Sequence, residues 1–373
     1  MYHKGREAIA KWLIYGGLIF FFCWRPSVSL SQVDNEFWFV VPELSHRGNT
    51  GGTPGTLRIA TMELPATVTI SMPANPYDPV LNPTGFQDIV VNMAGNSTAA
   101  VDLTPLIDVA ANPTNNRLEN KPLTASGINN FGLHITATNM ITAYWEVNYD
   151  FGSDLWTLKG ANGLGTLFYT PFQTVYNNRN IIPRAYSAID IVATEPNTQV
   201  TITLPPGIAA SYGFFLTPIP AGGTYVVTLN RGQTFSVFPR NYSILAADRL
   251  AGTRIESTAP VAVTVKDDAI ASGSQGQDLV GDQLVPVDVV GDNYIVPEIN
   301  NPNHVYVLAT EDNTNIYVYG VDGLPIGPTP YVTLNAGQQA LVTVPGGTKY
   351  NRITSRVNPL DPAKNFYVFQ MGI

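Results

Sequence analysis

Branched apolar residues alternate with threonine or alanine in short runs along the whole chain, as in Thr67-Val68-Thr69-Ile70, Val200-Thr201-Ile202-Thr203-Leu204 and Val261-Ala262-Val263-Thr264-Val265. A period of two turns one face of a strand inward and the other outward. Such half-buried strands belong to antiparallel sheets, because buried parallel strands read as unbroken apolar runs. Helical periodicity nowhere persists beyond about three turns, and residues 103–111 are the best short candidate for a helix. The 32 Gly and 29 Pro, with frequent Asn and Thr, predict many turns between the strands. The predicted fold class is all-β.

The pattern also repeats with residue identities kept. Ile189-Asp190-Ile191-Val192-Ala193-Thr194-Glu195-Pro196-Asn197-Thr198 matches Val305-Tyr306-Val307-Leu308-Ala309-Thr310-Glu311-Asp312-Asn313-Thr314, and Leu57-Arg58-Ile59-Ala60-Thr61-Met62-Glu63 is a looser version. Downstream, Thr228-Leu229-Asn230-Arg231-Gly232-Gln233 matches Thr333-Leu334-Asn335-Ala336-Gly337-Gln338, and Arg254-Ile255-Glu256-Ser257 matches Arg352-Ile353-Thr354-Ser355. Each copy opens with an aromatic strand ending in proline: Phe37–Pro42, Leu167–Pro171 and Tyr294–Pro297. Proline and asparagine in Glu195-Pro196-Asn197-Thr198, and glycine in Leu-Asn-x-Gly-Gln, suit hairpin turns. The predicted organisation is a leader over 1–31, β unit 1 over 32–160, β unit 2 over 161–270, an acidic linking loop over 271–293 and β unit 3 over 294–373. The units are expected to be tandem antiparallel β-sandwiches, with a closed, propeller-like ring as the alternative.

Lys4, Arg6 and Lys11 precede an apolar run from Trp12 to Trp24 and then small residues, the pattern of a secretory signal peptide cleaved before Gln32. The run is short for a membrane span. Phe21 and Phe22 stand where lipid attachment at Cys23 needs small residues, and without the leader no cysteine remains. An exported fold held without disulfides points to a bacterial source. Loss of the leader removes four of 20 basic and one of 28 acidic side chains, leaving 16 against 27 and a net charge near −11. With no basic cluster, this field repels nucleic acid.

The run Ala259-Pro260-Val261-Ala262-Val263, the segment Asp278-Leu279-Val280-Gly281-Asp282-Gln283-Leu284-Val285-Pro286 and Gly291-Asp292-Asn293-Tyr294-Ile295-Val296-Pro297, with the repeated turn elements, resemble the N-terminal region of IgGFc-binding proteins. The resemblance covers residues 165–373 well and 36–150 loosely. It implies an extracellular adhesive or binding role, without implying that this chain binds antibody. Family members usually continue past a strand like Phe366–Ile373.

No Gly-x-Ser-x-Gly, His-Glu-x-x-His or phosphate-loop motif occurs. His46, His134 and His304 stand far apart and read as strand or loop residues. Clustered aspartates at 267–292 flank the loop Ser272–Gly276; carboxylates on a loop suit calcium, and Asp267, Asp268, Asp278 and Asp282 are the candidate ligands, against a solvated acidic loop. No other cofactor is expected. Trp145, Trp156, Tyr169 and Tyr176 are candidates for a surface that binds protein or stacks on sugar, with a core role as the alternative. The expected function is a non-catalytic, secreted or cell-surface binding or adhesion module, whose partner is an extracellular protein or glycan. A structural spacer in a larger surface assembly is the alternative, and a hydrolase using two aspartates on glycans is a third reading.

Overall fold

The computed structural model describes residues 32–45, 53–107, 117–149, 152–271, 277–297, 303–343, 350–358 and 360–372. The expected leader, His46 and the stretch 272–276 lie outside them. Unit 1 holds β1 (Asp34–Pro42), β2 (Thr53–Thr61), β3 (Ala66–Ser71), β4 (Ile89–Met93), β5 (Thr98–Asp102), β6 (Glu119–Asn120), β7 (Ile128–Asn129), β8 (Gly132–Tyr149) and β9 (Gly152–Thr157). Unit 2 holds β10 (Leu164–Tyr169), β11 (Ser187–Ala193), β12 (Thr198–Thr203), β13 (Ala210–Tyr212), β14 (Thr217–Ile219), β15 (Thr224–Leu229), β16 (Thr234–Pro239), β17 (Arg254–Ile270) and β18 (Asp278–Gln283). Unit 3 holds β19 (Asn293–Pro297), β20 (Asn303–Ala309), β21 (Thr314–Tyr319), β22 (Val332–Leu334), β23 (Gln339–Thr343), β24 (Tyr350–Thr354) and β25 (Phe366–Gly372). The described residues contain no α-helix, and the candidate at 103–111 is a single 3-10 turn, Thr104–Leu106, as far as it is described.

One pairing scheme recurs in all three units. In unit 1 the first half of β8 pairs β1 and β3, with β4 beyond β3, while its second half pairs β2 and β9, with β5 beyond β2. In unit 2, β17 does the same: its start pairs β10 and β12, with β15 beyond, and its end pairs β11 and β18, with β16 beyond. Unit 3 divides that strand into β24, which pairs β19 and β21, and β25, which pairs β20. Pro359 and Pro362 fall in the interruption, and proline cannot donate to a ladder. Each unit is therefore a two-layered β-sandwich around one core, and not a single-sheet blade of a ring. Phe37, Phe39, Val68, Ile70 and Leu133 of one layer meet Leu57, Ile59, Ala143, Trp145 and Trp156 of the other; units 2 and 3 have cores of the same kind.

The repeated motifs are turns, as the sequence predicts, but not hairpins. β11 and β12 lie in different layers, as do β20 and β21, so Ala-Thr-Glu-x-Asn-Thr carries the chain across the sandwich. Asn197 and Asn313 sit at φ 54°, a left-handed backbone that asparagine tolerates. Thr198 Oγ1 donates to Glu195 O, and Thr314 Oγ1 to Glu311 O, at 2.8 and 2.7 Å. The second crossing, Asn-x-Gly-Gln, is locked to the first: Asn230 Oδ1 accepts Asn197 N–H and Asn335 Oδ1 accepts Asn313 N–H, at 3.2 and 3.0 Å. Identities were kept because both partners of each bond lie in the motifs. A further difference from expectation is that the stretch 271–293 carries a strand, β18, antiparallel to β17.

Some strands are buried on both faces. β11 and residues 261–270 of β17 have no exposed position, whereas β3 and β21 alternate cleanly. Neighbouring units supply the second cover. Trp38 and Val40 of β1 pack on Val192 and Ala262, and Tyr169 of β10 packs on Leu308 and Tyr367. At the second of these joints the backbones nearly touch: Gly252 has φ 84°, and a Cβ there would lie 2.1 Å from the Gly337 carbonyl oxygen. Gly252→Ala should therefore lower stability by about 1–3 kcal/mol from backbone strain alone, with steric conflict in addition. An unchanged thermal melting midpoint would contradict this packing.

Candidate functional site

The sequence-predicted residues are spread over the core of unit 1, the margins of unit 2 and the groove beside β18, and do not form one site. Trp145 and Trp156 are fully buried in the core of unit 1, against Phe39. Tyr169 is enclosed at the joint of units 2 and 3. These three cannot stack on a ligand, which corrects that expectation: aromatics large enough to bind sugar are equally suited to close a sandwich core. Tyr176 is half-buried and shares a 3.0 Å hydrogen bond with His304 Nε2 across the same joint.

The four aspartates do not converge, and among the described residues no three His, Cys, Asp or Glu side chains come together as a metal site. Asp267 and Asp268 are successive strand residues and point to opposite faces. Asp267 accepts bonds from Arg249 Nε (2.9 Å), Gln173 Nε2 (2.7 Å) and Asn178 Nδ2 (2.7 Å) at the end of the unit 2 core. Asp268 accepts Ser45 N–H at 2.6 Å from unit 1. Among the described residues Asp268 Oδ1 is buried without a hydrogen-bond partner, and the two carboxylates, facing opposite sides of the strand, are not brought together as a pair of calcium ligands.

Asp278 and Asp282 line a groove of about 460 Å³ where β9, β18 and β25 approach one another. Leu155 and Phe369 supply apolar rim, and Asp154 a third carboxylate. Here the acids satisfy an edge strand. Alternate N–H groups of β18 are bonded by carboxylates instead of a neighbouring strand: Leu279 by Asp278 Oδ1 (2.8 Å), Gly281 by Asp154 Oδ2 (3.1 Å) and Gln283 by Asp282 Oδ1 (2.8 Å). Charged groups placed so protect an edge from pairing with foreign strands. Trp156 Nε1 also donates to Asp154 at 2.5 Å, and Lys159 Nζ to Asp282 at 2.7 Å. Burial pushes the Asp154 carboxyl up to about 6, against these donors.

Sequence reading missed the seam between units 1 and 2, which is charged and buried. After Pro42 the chain crosses the outer face of β11 and β17. Lys266 Nζ donates to Glu43 O at 2.5 Å and lies 3.4 Å from the centre of the Tyr186 ring, whose hydroxyl donates to Glu43 Oε2. Asn120 Nδ2 donates to Asp190 Oδ1 at 2.8 Å, while Asn120 Oδ1 accepts from Asn129 and Thr234. A signal existed: Asp190 and Lys266 interrupt apolar runs inside strands, and a charge there implies a buried partner. Burial pushes the Asp190 carboxyl up to about 6, although Lys266 pulls it down.

Two consequences can be measured. Between about pH 4 and about pH 6 the folded chain keeps a proton on Asp190 that the unfolded chain has released, so this group's contribution falls as pH rises through that window. Asp190→Asn keeps an acceptor for Asn120 and cannot titrate; its melting midpoint should decline less than the parent's between those values, and parallel profiles would refute the assignment. Arg249→Met strands the Asp267 charge and should cost about 3–5 kcal/mol in denaturant unfolding, whereas a loss below about 1 kcal/mol would show that the pair is not coupled.

Among the described residues no helix is long and apolar enough to cross a membrane. Neither a search of curated proteins nor one of solved structures returned a match. The family model described as IgGFc binding protein matches residues 156–372, from β9 through β25. That match spans more than half of the chain, and it includes both turn motifs, the β18 and β25 walls of the groove and the joint of units 2 and 3: the chain belongs to the IgGFc-binding protein family.

Proposed function

We propose that this chain is a non-catalytic binding module working outside the cell, which holds an extracellular protein partner on a rigid frame of three sandwiches. Family membership carries the reading, and it is supported by the commitment of the conspicuous acids to structural bonds. Asp267, Asp268, Asp154 and Asp282 each accept from backbone or side-chain donors, which leaves little freedom for proton transfer to a substrate. In this reading the groove beside β18 is the contact surface, since it joins exposed Leu155 to a negative wall. Glycan is the second ligand class, as an extracellular surface offers both. The repeated joint favours one further reading, a spacer whose purpose is to set distance.

Immobilised chain, exposed in turn to immunoglobulin G Fc, secreted mucin glycoproteins and isolated glycans, should retain at least one protein saturably. Leu155→Asp should weaken that binding by about tenfold. Retention of none of these, with release of reducing sugar from a glycan, would overturn the proposal in favour of hydrolysis; retention of none without turnover would favour the spacer.

A further inference from the structure

The two joints inside the chain are the same joint built twice. Val40 and Tyr169 each stand two residues before the proline that ends an opening strand, Pro42 and Pro171. Val192 and Leu308, which receive them, each precede the alanine whose N–H bonds to the corner glutamine: Ala193 to Gln233 O and Ala309 to Gln338 O, at 3.1 and 3.0 Å. Ala262 and Tyr367 are the register partners of Val192 and Leu308. Each unit thus has an outgoing side, formed by its opening strand, and a receiving side, formed by its second layer.

Among the described residues the outgoing side of unit 3 and the receiving side of unit 1 take part in no joint of this kind. Two residues before Pro297 stands Ile295, 62% exposed, beside a cavity of about 370 Å³ lined by Tyr319, Val321, Tyr350 and Arg352. Val321 and Tyr350 are 47% and 44% exposed. On unit 1, Thr61 N–H bonds to Ser97 O at 2.9 Å as Ala193 bonds to Gln233, so Ala60 occupies the position of Val192. Its register partner is Thr142, the counterpart of Ala262. Ala60 and Thr142 are half-buried, whereas Val192 and Ala262 are buried under Trp38 and Val40. The face is small at its centre and carries the Arg58–Glu146 ion pair at its margin, while the outgoing side carries Arg352, whose guanidinium lies over Tyr319. The margin of the receiving side is thus a neutral ion pair and does not repel Arg352, and Ile295 is of a size that Ala60 and Thr142 leave room for. The joint of units 1 and 2 shows that a largely polar receiving face is workable.

We propose that the outgoing side of unit 3 docks on the receiving side of unit 1 of a second copy of this chain, forming the joint a third time between molecules. Such a contact is heterologous: a molecule that uses its unit 3 keeps its unit 1 free, and association runs head to tail. It differs from the partner contact assigned above in both surface and occupant.

Sedimentation velocity over a wide concentration range should show reversible growth of the full chain beyond the dimer. Ile295→Asp and Ala60→Glu, at the two opposite sides, should each weaken association by at least about tenfold. Mixing these two variants should restore dimers and nothing larger, because one retains a working receiving side and the other a working outgoing side. Melting midpoints establish that each variant is folded, and Arg58→Glu, at an exposed position on the same face, replaces Ala60→Glu if the latter is not. A chain that is monomeric throughout, association that survives both substitutions, or a mixture that stays monomeric would each overturn the proposal.

Discussion

A strand too long for one sheet holds each of the first two sandwiches together. β8 and β17 give their first half to one layer and their second half to the other, so the layers cannot separate without breaking a continuous backbone. The turn motifs act on the same constraint from the opposite end, where two crossings are bonded to each other through an asparagine side chain. With both ends of the sandwich tied, the cores of Phe, Trp and branched residues close between fixed walls, and no disulfide is needed. Unit 3 dispenses with continuity in the shared strand and keeps the bonded crossings, so either device can serve where the other is absent.

The units meet through faces that would be solvated in an isolated sandwich. Apolar contact is limited to a few residues at each joint, and the remainder of the seam between units 1 and 2 is polar and buried. Isolated charges in such a place cost several kcal/mol each, so Lys266, Glu43, Asp190 and Asn120 are arranged to share donors and acceptors. A seam of this kind contributes less to stability than an apolar one, but its bonds are directional. It admits one register and one orientation of neighbour, as does the His134 ring stacked on Trp38 beneath Arg231.

All-β structure, the threefold repeat and the turn positions were legible because each is a local property: period two, identity at matching offsets, and residue types that tolerate a left-handed backbone. What was not legible depends on which outer face acquires a cover. Trp145 and Trp156 show an aromatic in sequence but not the layer that closes over it, and Tyr169 becomes enclosed only because unit 3 arrives. β18 was hidden because its acids suggest a solvated loop, although they are the groups that satisfy its unpaired edge. The hairpin expectation failed for a related reason: a turn's residues report its dihedral angles, and not whether the strands it joins will pair or part into separate layers.

The glycine contact between units 2 and 3 carries one more implication. Where Gly252 meets Gly337, peptide faces peptide and no side chain intervenes, so the separation of the two bodies is set by main-chain thickness. Surface residues can then drift over time, altering what the outer loops hold, while the pitch of the array stays the same.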